Sequence, residues 1–368
     1  MKKRYTPKKI IQYLIKEFSL SLTIFFFIFV SLIILSTYIE EIIFFREKVT
    51  SGNFFLKTFI LSLIKTPTLI INISPFIFLF SGIFFFAKLL RSNEITPLSL
   101  SGFSKNFITI IPACFSFFCG LIIILILTPV SSELSKYYET VKQKYTNNDN
   151  LIIMSNTGLW LKEKNNNKIF IIRSDKISNQ IFNELSNVTI YEFDDNYNFK
   201  MRIDSKKVKI TEKKWTIFNS REITQKGKSI NSIKNFNTSI ELNSLKNFFS
   251  NANTFSIWNI QDELGKIRER GYYGQDIIIT LNKYLSLPFL LFSMIILATF
   301  FTIKIGYQFN NFIYAFFGIL SGIVVYFLSD LSIAIGKSGK IPLILSVWVP
   351  VIIILLLSIY NLINQENE

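Results

Sequence analysis

Six stretches of this chain, near residues 18–38, 67–90, 107–127, 284–303, 312–330 and 341–362, each approach or exceed the ~20 apolar residues that carry an α-helix across ~30 Å of hydrocarbon. Inside a bilayer every backbone N–H and C=O must be bonded within the protein, so such runs have little choice but to be helical. Half of the 368 residues are hydrophobic, and they are gathered into these runs rather than spread along the chain. Basic residues (Lys2, Lys3, Arg4, Lys8, Lys9) precede the first run as they would a signal peptide. Its apolar stretch outlasts the roughly 7–15 residues of a signal core, and no small-x-small cleavage pattern follows. A retained first helix and six transmembrane helices in all are expected.

Short loops set the orientation, because Lys and Arg collect on the cytoplasmic side. The N-terminal segment adds Lys16 to its basic residues, the loop at 89–106 carries Arg91 and Lys105, and the loop near 304–311 carries Lys304. With six spans these segments share one side. Both termini are therefore expected in the cytoplasm and the region of about 129–280 outside. The formal charge of +15 goes with an abundance of Lys, Asn, Ile and Phe that an AT-rich genome favours, and equally with a surface that attracts anions.

The outside region has a different grammar. Phe199, Met201 and Ile203 alternate with Lys200, Arg202 and Asp204, and Val208, Ile210, Trp215 and Ile217 keep a period of two across the polar stretch TEKK, which predicts a hairpin. The run Ile169–Phe170–Ile171–Ile172 and the turn signal within YEFDDNYNF add further strands. Short strands with polar turns over about 100 residues predict a sandwich or jelly roll. Ile257, Ile260, Leu264 and Ile267 then form one helical stripe, with Asp262 and Glu263 ahead of Arg268 and Arg270 and Gly271 placed to end the helix. The expected fold class is an α+β membrane protein with six transmembrane helices and a β sandwich or jelly roll inserted outside the membrane between helices 3 and 4, which the family resemblance given below narrows to a periplasmic β-jelly-roll. Its parts are helices 1–3 in 1–128 with a cytoplasmic segment at about 91–105, the β domain in 129–280 with a connecting helix at about 256–270, and helices 4–6 in 281–368.

No catalytic set emerges. The chain has no histidine, which excludes Ser-His-Asp and Cys-His arrangements and His-ligated metal sites, and no Walker A pattern. No cofactor or metal is expected. Acids within the spans are scarce, whereas proton-coupled carriers bury them there. Asp330 is placed at a helix end as an interfacial acid, Lys88 is expected to snorkel, and Cys114 and Cys119 to be small buried side chains.

The loop LLRSNEITPLSLSGFSKN at 89–106 holds a carboxylate within a turn of an apolar run. An acid, Glu94, is followed by Ile95, Leu98 and Leu100 and by Gly102 at the end. Such a segment suits a short helix lying along the membrane, whose apolar side chains fill a partner's groove while the carboxylate pairs with a basic group. It equally suits a solvated connector, and spacing alone leaves both open.

The stretch NEITPLSLSGFS resembles the SELxxxxxxGxS/T signature of the LptF/LptG family, the lipopolysaccharide-export permeases of Gram-negative inner membranes. Agreement extends through TYIEEI at the end of helix 1, KTPTLIINISP into helix 2, LTPVSSEL after helix 3, GLWLKEKNNNKIFII opening the outside domain, the 257–271 helix and NKYLSLP before helix 4. The GLW segment and IYEFDDNYNF look more like LptG than LptF. The resemblance implies an inner-membrane subunit, not itself an enzyme, of the ABC transporter that extracts lipopolysaccharide and passes it to a periplasmic bridge. Its partners would be an LptF-type permease subunit, two copies of an LptB-type ATPase and an LptC-type periplasmic protein, with no nucleic acid involved. The coupling glutamate falls on Glu94, with Arg91, Leu98 and Gly102 in the same motif. LptG proteins often carry a basic residue where this chain has Thr37, so Arg46, Lys48 and Lys65 are the substitute candidates for lipid A phosphates, and Phe199, Met201 and Ile203 for acyl chains. A non-transporting membrane scaffold or mechanical coupler, and a membrane transferase acting on lipid, are the other classes. The transferase would need a cluster of acids or bases at the membrane face, and none is visible.

Overall fold

The structure is a computed structural model that describes residues 7–46, 54–145, 150–155, 158–165, 168–178, 184–195, 197–210, 214–224, 227–238, 252–269, 274–304 and 311–366. It has six helices long and apolar enough to cross a membrane, and an antiparallel sheet between the third and fourth. Helix α1 (Pro7–Phe45) packs along α2 (Phe54–Arg91), and a short α3 (Ile95–Leu100) leads into α4 (Lys105–Ile122). A π-helical turn, Ile123–Leu127, joins α4 to α5 (Thr128–Tyr145), so the third span continues well past its apolar run. Strands β1 (Asn150–Ser155), β2 (Gly158–Asn165), β3 (Lys168–Ser178), β4 (Glu184–Asp194), β5 (Phe199–Ile210), β6 (Lys214–Thr224) and β7 (Gly227–Asn237) follow. Then come α6 (Ile260–Glu269), α7 (Gln275–Thr299) with its own π-helical turn Phe300–Lys304, α8 (Asn311–Lys337) and α9 (Leu343–Glu366). Two compact units result, one of residues 1–138 with 278–368 and one of residues 139–277.

The helical unit is centred on two of its spans. In their most apolar windows the second and fourth spans are 61% buried, against 17% for the first and 11% for the fifth. Close approach at the centre depends on a small residue: a Cβ on Gly120 would lie 2.8 Å from the Cα of Pro288 on α7. Many hydroxyls along the spans are turned back onto their own helices, as Thr37 to the Ile33 carbonyl at 2.8 Å and Thr128 to that of Ile124 at 2.6 Å, which keeps them from needing water. Two placements differ from the sequence reading. Asp330 lies inside α8, about two turns before Lys337, on an exposed side of the helix with Tyr326 as its hydrogen-bond partner. Cys114 is exposed and Cys119 half-buried, because the buried side of α4 is taken by Ile108, Pro112, Ala113, Ser116 and Gly120.

The β unit is one seven-stranded sheet in the order β1 to β7, each strand beside its neighbour in sequence, without a Greek-key crossover among the described strands. The GLWLKEK and KIFII segments are the β2–β3 hairpin, and YEFDDNYNF closes β4 onto β5 through the Asp194 carboxylate, which accepts from the Asn198 backbone N–H at 2.8 Å. Both buried and exposed sides change phase in mid-strand. On β5 the buried residues are Ile203 and Ser205, then Val208 and Ile210; on β6 they are Trp215 and Ile217, then Ser220.

The cause is a crease. Across this line the pairing from β3 to β7 resumes in the same register but skips the facing residues Asp175, Asn187, Lys206, Asn219 and Ser232, with Ser205 opposite Ser220 skipped too between β5 and β6, and Asn187 and Asn219 have left-handed backbone (φ 52° and 49°). Buried serines take over carbonyls along this line: Ser205 donates to Phe218 O at 2.6 Å, with Lys207 O at 2.9 Å, and Ser174 donates to Ser186 O at 3.0 Å. A cavity of about 540 Å³ lined by Lys206, Lys207, Phe218 and Asn219 opens at the crease. Replacing Ser205 by Val strands these carbonyls, at roughly 1–3 kcal/mol for an unsatisfied buried group. Amide hydrogen exchange of the intact protein should speed up across 203–208 and 216–221 in Ser205→Val, and unchanged protection there would refute this role of the serine.

Candidate functional site

The loop from α2 to α4 is a chain of helix terminators in contact with one another. At the end of α2, Asn93 N–H bonds Leu90 O at 3.1 Å and Glu94 N–H bonds Leu89 O at 3.1 Å, with Asn93 left-handed at φ 53°. That pair of bonds is a Schellman motif, the closure that satisfies the last carbonyls of a helix. The same closure recurs after α3: Gly102 N–H bonds Ser99 O at 3.0 Å, Phe103 N–H bonds Leu98 O at 3.3 Å, and Gly102 has φ 93°. Ser104 then caps α4 by accepting from Phe107 N–H at 3.1 Å. Glu94 is shared: its N–H closes α2, and its carbonyl accepts from Leu98 N–H at 3.2 Å to open α3. Its backbone is fixed from both sides.

The side chain of Glu94 does something an N-terminal acid rarely does. It sits in the N-cap position, where a carboxylate would ordinarily accept from the first free N–H groups, yet it makes no cap bond. Its Oε2 instead accepts the hydroxyl proton of Tyr13 on α1 at 2.5 Å. One helical turn along α1, Glu17 accepts from Lys88 of α2 at 2.6 Å. Lys88 is thus ion-paired, not merely snorkelling. Ile95 is buried, Leu98 half-buried and Leu100 84% exposed, so α3 anchors by its first residue and leaves its last apolar side chain outward. Arg91 ends α2 and is exposed.

A second polar cluster lies toward the other ends of helices α1 and α2. Lys65 donates to Glu40 at 2.6 Å and lies 5.9 Å from the centre of the Tyr138 ring; Tyr138 donates to the buried Glu41 at 2.5 Å, and the Thr68 and Ser135 hydroxyls are 2.9 Å apart. Thr37 is buried with its hydroxyl spent on its own helix. Arg46 is exposed just beyond α1, and Lys48 lies outside the described residues.

In the β unit the three alternating residues do not share a face. A bulge pairs Glu192 with Met201 but Phe193 with Phe199, so Lys200 is the extra residue and Phe199 turns to the opposite face, its ring 6.1 Å from that of Phe193. Met201 and Ile203 stay on the inner face. Ile203 is closed off in a fully buried row with Leu161, Ile172 and Ile190, whereas Met201 is half-buried in the next row beside Glu192, whose carboxylate Lys168 holds at 2.7 Å.

The model of one protein family, the lipopolysaccharide export system permease LptF/LptG, matches residues 12–364. The chain belongs to that family. A comparison with curated proteins finds no match. Membership makes this a permease of lipopolysaccharide export, and the match takes in both polar clusters and the whole β unit. Sequence patterns located Glu94, Arg91, Leu98 and Gly102 together in one built segment of this permease. They missed Tyr13, Glu17, Glu40, Glu41 and Tyr138, for which the available signal was the four-residue spacing of polar groups at the first turns of α1 and the polar end of that helix.

Because Gly102 must be left-handed, a side chain there costs roughly 1–2 kcal/mol, while Asn tolerates the same geometry. Gly102→Val should loosen the 98–103 amides to hydrogen exchange and Gly102→Asn should do so far less. Equal protection in both variants would refute the closure.

Proposed function

We propose that this permease is a transmembrane subunit, of the LptG type, in the ABC transporter that extracts lipopolysaccharide from the inner membrane and delivers it to a periplasmic bridge. In this reading both termini and α3 face the cytoplasm and the β unit lies in the periplasm. The subunit pairs with an LptF-type permease, docks an LptB-type ATPase dimer through α3, and hands lipid toward an LptC-type protein. The observation that carries the reading is the segment 89–107: a prebuilt, doubly closed loop that holds a carboxylate and an exposed leucine at one end of the bundle. The GLW segment at the start of β2 supports the subtype.

Chemically, Glu94 has one oxygen engaged by Tyr13, leaving the other to accept from a basic group on the ATPase, with Leu100 filling an apolar recess beside it. Removing one member of a largely desolvated charge pair can cost ~2–5 kcal/mol, enough to weaken assembly. Glu94→Lys should therefore lose ATPase co-purification and lipid export in reconstituted vesicles, while Lys105→Glu, outside the motif, should be mild. Wild-type assembly and export by Glu94→Lys would return the loop to a solvated connector.

Lipid A phosphates would meet Arg46 and Lys65, with Lys48 as a third candidate. Lys65 already holds Glu40, so a phosphate must displace that carboxylate to bind. Glu40→Gln should accordingly raise lipopolysaccharide crosslinking to a photoreactive group near position 65, and Lys65→Glu should lower it. The opposite order would remove Lys65 from the phosphate set. In the β unit the half-buried Met201 is the residue offered to acyl chains, and Ile203 becomes available only if the inner rows part.

A further inference from the structure

We propose that Tyr13 and Glu17 are positioning residues that make α1 a moving part of the coupling machinery: they clasp the α3 segment to the first turns of α1, so that a displacement of α3 is delivered to that helix. The inference rests on the reading of Glu94 as the coupling acid and adds to it a route by which its motion leaves the loop. Tyr13 and Glu17 are four residues apart, hence on one side of α1. They bind the two ends of the turn that joins α2 to α3: Tyr13 takes Glu94 at 2.5 Å and Glu17 takes Lys88 at 2.6 Å. Glu17 is the more sheltered member of its pair, its side chain 17% exposed against 53% for Lys88, so the bridge is partly shielded from solvent.

Beside these polar contacts is a rigid apolar joint. Leu14 and Phe18 are fully buried, and the Phe18 ring meets Phe85 of α2 at 5.6 Å and Phe115 of α4 at 6.0 Å, both edge-on. The start of α1 is therefore gripped by α3's flanking helices on both sides and by Glu94 itself. Further along, α1 is little covered, since only 17% of its most apolar window is buried. Its other end is held again, by Glu40 to Lys65 and by Glu41 to Tyr138. Between the two ends α1 stays packed on α2, with Phe25 and Phe29 meeting Phe80 at 6.1 and 5.8 Å, and as one continuous helix it carries a push on one end to the other. The diversion of Glu94 from its cap to Tyr13 gives the loop a bond that serves this linkage rather than α3.

A merely structural Tyr13 and a transmitting one differ in what they uncouple. The test is the assembled transporter in proteoliposomes, measuring ATPase co-purification, ATP hydrolysis and lipopolysaccharide released per ATP for Tyr13→Phe, Glu17→Lys, and Glu17→Lys combined with Lys88→Glu. The expected result is that Tyr13→Phe keeps the ATPase bound and hydrolysing while lipid released per ATP falls about five-fold or more, the lower range of ordinary coupling between sites. Glu17→Lys should do the same, and the charge-swapped pair should regain most of the ratio. Wild-type lipid release per ATP in Tyr13→Phe, or a loss of ATPase binding in it equal to that in Glu94→Lys, would overturn the proposal. Should Glu94→Lys itself assemble and export normally, the coupling reading fails; should Glu94→Lys be impaired and Tyr13→Phe be normal, only the clasp fails.

Discussion

A backbone that crosses hydrocarbon must bond every one of its polar groups from within, and most of this structure follows from that constraint. It makes the six apolar runs helical and turns many of their serine and threonine hydroxyls back onto carbonyls of the same helix. The same demand is strongest where a span has to stop. Between α2 and α4 the chain leaves one helix, makes another of only six residues and enters a third, and it does so through two Schellman closures and one serine cap. Asn93, Gly102 and Ser104 are the residues that permit this, and Glu94 is left with a backbone that cannot swing. The β unit meets a related need outside the spans. Its crease interrupts the ladder, and buried serines bond carbonyls along the break.

Span number, the inserted β domain and the β4–β5 and β5–β6 hairpins were legible because each rests on a local signal: about twenty apolar residues for a span, a period of two for a strand, and the polar turn of YEFDDNYNF. The short helix between the second and third spans drew notice for a different reason, a resemblance spread over the motif at 93–104, and the structure places Glu94 before that helix and Gly102 after it. What was hidden is non-local. Tyr13 and Glu94 are far apart in sequence, as are Glu41 and Tyr138, and no periodicity names such partners. Phe199 was misplaced because a bulge at Lys200 breaks the alternation that reading by twos assumes. The phase change between Ser205 and Val208 was visible in the sequence as a switch from odd to even positions, but only the left-handed Asn187 and Asn219 explain it.

Among the described residues of the helical unit, two polar clusters lie toward the two ends of α1. One cluster carries Glu94 and the other carries Lys65, and the same helix supplies a partner to each. An ATPase acting at the first and an anionic lipid acting at the second would both work against bonds made by α1. Between the two clusters α1 leaves most of its surface uncovered and rests on α2 through Phe25 and Phe29 against Phe80.

The central claim is that the 89–107 segment and the start of α1 move as one body. The most direct measurement is the distance between spin labels on the exposed residues Lys9 and Ser99, taken on the assembled transporter in membranes without nucleotide, with bound ATP and after hydrolysis. The account predicts one narrow distance distribution, the same in all three states. A broad distribution, or one that shifts with nucleotide, would mean that α3 moves independently of α1 and would contradict it.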